Sequence, residues 1–285
     1  MTSMGYVRRV NVTVLSDNFT STIIPPLAGE WGFSAYIETE GVRVLYDLGN
    51  SGVPLLHNAR LLGIDLSRVD YIVLSHGHSD HTGALANPEV VKLLQGKTVI
   101  AHPSVFEKKL LRWRGRLDYI GIPMTREEME SRFRLILSRE PLEFAEGLYF
   151  SGEVKSYGFP RYTSGLAKAV GDRVTSDELS DDAALYINTP KGLIIITGCG
   201  HSGIRNIVRH AKEVTGSEKV YAVIGGFHLL SSDQREVEES MRDVAGVAEK
   251  IGPAHCSGHQ AKAFVMGNFK DKYLEAGVGF TLSVD

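Results

Sequence analysis

Two apolar periods trade places along the chain. VNVTVLS (10–16) alternates as a strand does, and SAYIETEGVRVLYDLG (34–49) alternates on both sides of Glu40-Gly41, which predicts a hairpin. VPLLHNARLL (53–62) switches to a helical period, whereas YIVLS (71–75) is the short β-branched run of a buried strand. An amphipathic stretch at 88–95, a strand at 98–101 and a helix starting at Pro103 follow. Residues 112–140, apart from a helical piece from Thr125, and residues 155–180 are charged and irregular. Both read as insertions on a scaffold.

The second half repeats the logic of the first. AALYINTPKGLIIITG (183–198) predicts a strand pair around Pro-Lys-Gly, and HSGIRNIVRHAKEVTG (201–216) predicts a helix. KVYAVIGG (219–226) is a strand, 233–250 a helix, 251–256 a strand end and 259–275 a helix. Strand pairs that then alternate with helices, twice over, imply α/β layers: sheets covered by helices on their outer faces. No Pro/Ser-rich linker divides the chain, so one domain over 1–285 is expected.

Composition narrows the function more than the fold. A net charge of −3 with no Lys/Arg run leaves no footprint for nucleic acid or a membrane surface. No apolar run approaches the ~20 residues needed to span a bilayer. The N-terminus turns polar too soon for a signal peptide, and two cysteines make no disulfide framework, so a cytoplasmic protein is expected.

The chain's 10 histidines are placed unevenly. HGHSDH puts His76, His78, Asp80 and His81 just after YIVLS, while His201, His228 and His255 each follow a predicted strand. Ligands in α/β folds bind beyond the carboxyl ends of strands, where several strands converge. Imidazole and carboxylate suit zinc, iron and manganese. In extended chain, residues i and i+2 point the same way, so His76 and His78 can share one ion. Four ligands here and more from later strands exceed one tetrahedral zinc, which predicts two divalent ions. A lone strand-end histidine is more often packed or solvated than ligating. His228 and His259 therefore stay open as metal or site-edge residues. His102 could line the pocket, and His57 and His210 are expected on the surface.

HGHSDHTG resembles the H-x-H-x-D-H signature of the metallo-β-lactamase superfamily. That resemblance implies a four-layer αββα sandwich of two mixed sheets flanked by helices, with a dinuclear site at one edge. SAYIETEGVRVLYDLG, ITGCGHSGIRNIV, IGGFHL and AHCSGH are further similar to its dihydropteroate-synthase-like branch. Carried over, His76, His78, Asp80 and His81 match the signature and His255 the last metal histidine. Where relatives carry a bridging aspartate after T-G, this chain has Cys199, with His201 two residues on. Either could ligate; His201 is the first choice, and an inert buried thiol is the other reading of Cys199. Relatives place another histidine before the 183–198 strand pair, where Glu153 is the nearest candidate here.

The superfamily implies water activated by two metals, zinc first and iron or manganese as alternatives, with Asp80 and His81 in catalytic positions. The branch implies a pterin methyl diphosphate whose pyrophosphate is displaced by an arylamine. The expectation is thus a metal-dependent hydrolase or transferase acting on a small anionic or phosphorylated molecule. Arg161, Tyr162, Lys168 and Arg173 of the second insertion suit a phosphate and an aromatic ring. The rivals are a di-iron redox protein of the same fold and a non-catalytic metal-containing binding module.

Overall fold

Seven strands form a first mixed sheet in the computed structural model, which describes residues 5–285. From one edge they are Thr281–Val284, Val10–Ser16, Ser34–Thr39, Arg43–Tyr46, Tyr71–Val73, Thr98–Ala101 and Arg134–Leu137. The hairpin at Glu40-Gly41 is present, with Glu38 opposite Arg43, and the last three strands run parallel to Arg43–Tyr46. A second mixed sheet orders Ala248–Ala254, Val220–Gly226, Gly192–Thr197, Ala184–Thr189, Leu148–Phe150 and Leu142–Ala145.

The sheets stack face to face, and the strand GLIIIT shows why its central run LIII has no polar position. Ile194 and Ile196 enter the core between the sheets, with Val12, Ile37, Tyr46 and Ile100. Leu193 and Ile195 point the other way, into a core closed by Ile207, Val237, Met241 and Val265. Those four come from helices Ile204–Thr215, Gln234–Val247 and Gly258–Asn268. Helices Val53–Leu61 and Pro88–Leu94 cover the opposite outer face over Leu45, Ile72 and Val99. The layers are helix, sheet, sheet, helix, and strands buried on both faces read as unbroken apolar runs. No helix among the described residues is long and apolar enough to cross a membrane.

Several sequence expectations are corrected. Pro103 opens only a single 3₁₀ turn, Pro103–Phe106, after which the chain extends into strand Lys108–Trp113. That strand is central to a third, antiparallel sheet ordered Arg173–Ser176, Leu166–Val170, Lys108–Trp113 and Arg116–Tyr119. The stretches read as two separate insertions therefore meet in one sheet. Arg134–Leu137, inside the first of them, belongs to the main sandwich. The helix after Thr125 is Arg126–Glu130, started by a reciprocal capping box between Thr125 and Glu128. The helix expected over 233–250 stops at Val247 because Ala248 pairs with Val220 at the start of a parallel strand. The helix expected over 259–275 ends at Asn268.

Candidate metal centre

Strand ends deliver the site. His76 and His78 follow Tyr71–Val73, Cys199 and His201 follow Gly192–Thr197, and His255 follows Ala248–Ala254. Asp80 and His81 lie in the short helical turn Ser79–Thr82 that His78 begins. The side chains assemble into two groups, His76 with His78 and His201, and Asp80 with His81, Cys199 and His255. Within each group the donor atoms lie within 4.8 Å of one another. Cys199 and His201 are thus not rivals for one position, since each joins a different group. The third imidazole beside His76 and His78 is His201.

In the first group, His76 Nε2 and His78 Nδ1 face each other at 3.0 Å. His76 Nδ1 lies 2.9 Å from Ser75 Oγ, which donates to Asp47, so the network assigns the His76 proton to Nδ1 and a lone pair to Nε2. His201 Nδ1 donates to the Tyr162 carbonyl at 2.8 Å, leaving buried Nε2 with no partner. Burial, reinforced by the neighbouring imidazoles, holds His76 and His201 well below the ordinary histidine range. Burial likewise takes His78 down to about 3. Neutral rings with lone pairs turned inward, as on His76 and His201, are what a cation needs.

The second group is more polar. His81 Nε2 is 3.1 Å from Cys199 Sγ and 3.7 Å from Asp80 Oδ2; His255 Nε2 is 3.5 Å and 3.2 Å from the same two atoms. Burial would raise the Asp80 carboxyl, but the His81 charge and the contact with His255 outweigh it and hold Asp80 ionised. Burial would lower His81, yet Asp80 and Asp47 together raise it in the metal-free protein. Burial, then Cys256, pushes the Cys199 thiol well up. A thiolate there needs a cation to replace its proton.

Sequence reasoning missed the groups that aim these candidate ligands. Asp47, fully buried at φ 53°, accepts from the Ser75 amide and hydroxyl and from His81 Nδ1 at 2.7 Å each. Asp17 accepts from the His255 amide at 2.7 Å, and Asn18 Oδ1 meets His255 Nδ1 at 3.0 Å. Holding the remote ring nitrogen fixes the tautomer and direction of a metal histidine. The signal for Asp47 was its place directly after a strand, in YDLG. His228 and His255 also adopt left-handed φ of 47°, so backbone strain gathers at this edge.

The other candidates lie outside both groups. His228 is half-buried, its ring centroid 4.0 Å from that of His201, while His259 is exposed on its helix. Glu153 sits on the surface, 4.0 Å from His102 and from Arg139. Arg161 is bound to the carbonyls of Val154, Glu178 and Leu179, and the Tyr162 hydroxyl donates to Glu236. Lys168 pairs with Glu107 in the third sheet, and Arg173 is exposed there. His102 and His210 are buried, the latter against the Tyr186 hydroxyl, which corrects the surface expectation for His210; His57 is exposed. A groove of about 680 Å³ lined by Phe159, Arg205 and Arg209 holds none of the candidate ligands.

The buried neutral histidines make the metal-free protein acid-sensitive. His78 is lowered to about 3, and His102, His210 and His228 to about 4, all chiefly by burial. Unfolded imidazoles take up protons near pH 6.5, the folded ones only below that, so the unfolded state binds more protons in between. The stability contributed by these four groups is full above that window and is lost as pH falls through it. Scanning calorimetry of EDTA-treated protein is expected to show a melting temperature at least about 10 °C lower at pH 5 than at pH 7.

The family model of the metallo-beta-lactamase superfamily matches residues 32–205. The chain is 32% identical, over 96% of its length and 97% of the relative's, to a Methanocaldococcus jannaschii protein. That protein is named 7,8-dihydropterin-6-methyl-4-(beta-D-ribofuranosyl)-aminobenzene-5′-phosphate synthase. A solved metal-dependent hydrolase of the beta-lactamase superfamily superposes with a TM-score of 0.82 at 28% identity, covering 97% of this chain and 99% of that one. Zn²⁺-bound PqqB from Methylobacterium extorquens shares the fold, with a TM-score of 0.55 at 11% identity over 95% of this chain and 99% of that one.

Proposed function

The chain belongs to the metallo-β-lactamase superfamily, and within it we propose a two-ion metalloenzyme acting on a small phosphorylated substrate. The observation that carries this reading is the pair of buried donor groups, His76/His78/His201 and Asp80/His81/Cys199/His255, each already gathered. The donor sets fit zinc: three imidazoles in one, and imidazole, carboxylate and thiol in the other. Bound there, divalent ions supply Lewis acidity for a leaving phosphate and lower the pKa of a water.

The protein's own groups do the rest. Asp80, kept ionised and the least buried member of its group, can orient an attacking N–H or O–H and accept its proton. Trp31, half-exposed with its ring centroid 5.3 Å from that of His255, offers an aromatic face beside the metal positions. His228 stacks on Tyr162 beside His201. We assign these aromatic rings to contact with a planar substrate ring that carries a phosphorylated methyl group.

The specific reaction proposed is displacement of pyrophosphate from a pterin methyl diphosphate by an arylamine, which would join a dihydropterin methyl group to an aminobenzene, as in the product that the 32%-identical relative is named for. The test combines elemental analysis of protein purified without chelator with an assay of pyrophosphate release. Two metal equivalents, and release that requires the arylamine, are expected. Release with water alone would make the enzyme a hydrolase. No bound transition metal would overturn the reading.

A further inference from the structure

The third sheet reaches the metal centre through a buried charge cluster. Lys109, on strand Lys108–Trp113, is fully buried, with its ammonium 2.7 Å from Asp181 and 3.1 Å from Asp177. Asp181 turns its other oxygen to the amide of Gly77, which donates at 2.8 Å. Gly77 is the residue between His76 and His78, and it packs so closely that a Cβ would come within 2.3 Å of the Val105 carbonyl and 2.9 Å of Lys109 Cε. The neighbouring residues continue the grip. Asp182 accepts from the Ser202 amide at 2.7 Å, beside His201, and the Ala183 amide donates to the Ser75 carbonyl at 2.9 Å, beside His76. One segment, 177–183, therefore touches the backbone next to all three imidazoles of the first group while contributing no ligand.

We propose that Asp181, neutralised by Lys109, is a positioning residue that sets the separation of His76 and His78, so that the third sheet tunes metal binding at the first group. The inference rests on the first group being a metal site, and its test separates the two ideas. A buried carboxylate that must satisfy an amide and an ammonium at once cannot be copied by an amide side chain. Asparagine at 181 can accept from Gly77 or from Lys109, but it turns its NH₂ toward the other. Lys109 keeps Asp177 as a counter-charge in that variant, so no buried ion is left alone. Asp177→Asn is the matched control: Lys109 keeps Asp181, and the Gly77 contact is intact.

The experiment is competition of Zn²⁺ against a chromophoric chelator, with Co²⁺ absorption as a second readout and the melting temperature of EDTA-treated protein as the folding control. Asp181→Asn is expected to weaken one of the two metal equivalents by about 10-fold or more and to change the ligand-field bands of Co²⁺. Asp177→Asn is expected to stay within about 2-fold of the parent. Equal affinities in the two variants would overturn the proposal; failure of the parent protein to bind a first-group metal would instead overturn the reading of the site. Hydrogen exchange on the unmutated protein gives an independent answer. Metal loading is expected to slow exchange across 177–183, and no change there would also overturn the proposal.

Discussion

Replacing His201 with alanine is expected to remove one of two metal equivalents and to cut turnover by about 10²–10³-fold. The first group has three protein donors, and zinc sites that stay open to substrate keep at least three. His201 Nε2 is buried without a hydrogen-bond partner, while its Nδ1 is held by the Tyr162 carbonyl, so the side chain's remaining capacity points into the group. Alanine leaves two imidazoles and a void beside them. His228→Ala is the contrast, because its ring packs on His201 yet lies outside both groups. That variant is expected to keep both equivalents. Metal analysis after gel filtration reads both variants, and a His201→Ala protein that retains two ions at parental affinity would sink the assignment.

The local half of this site was legible in the sequence. His76, His78, Asp80 and His81 fall within six residues, so their spacing alone brings them together. The division into two groups was not legible, because it depends on how Gly192–Thr197 and Tyr71–Val73, which lie in different sheets, meet across the sandwich. Asp47 looks like any acidic residue in a turn after a strand, and Asp181 lies among Asp177, Glu178 and Asp182 in a charged loop, where no position stands out. In the third sheet burial does not follow the sequence pattern: Arg116–Tyr119 alternates as RLDY, yet all four residues are exposed, so its short alternation marks no core face. Its strands also pair over about 50 residues of intervening chain. His210 could have been placed correctly. Ile207 and Ala211 share its helical face and are buried with it, so the 3.6-residue period puts it inside.

Cys199→Ser is expected to weaken the second metal equivalent by at least about 10-fold and to abolish the near-ultraviolet charge-transfer band that a thiolate gives bound Co²⁺. The change is nearly isosteric, so a buried thiol that served only packing would leave both readouts untouched. Geometry argues for ligation, with Cys199 Sγ 3.1 Å from His81 Nε2 and 3.5 Å from His255 Nε2, in the group that Asp80 completes. Burial raises the thiol, so the metal-free protein keeps it protonated and an entering cation must displace that proton. Metal uptake by the second group should therefore release a proton and weaken as pH falls. A serine hydroxyl does not ionise under these conditions and cannot substitute. Cys199→Asp restores an anionic donor: it is expected to recover the second equivalent without the charge-transfer band. Recovery of metal by aspartate but not by serine would establish that position 199 supplies charge to the site; indifference to both would leave Cys199 a packing residue and reduce the second group to Asp80, His81 and His255.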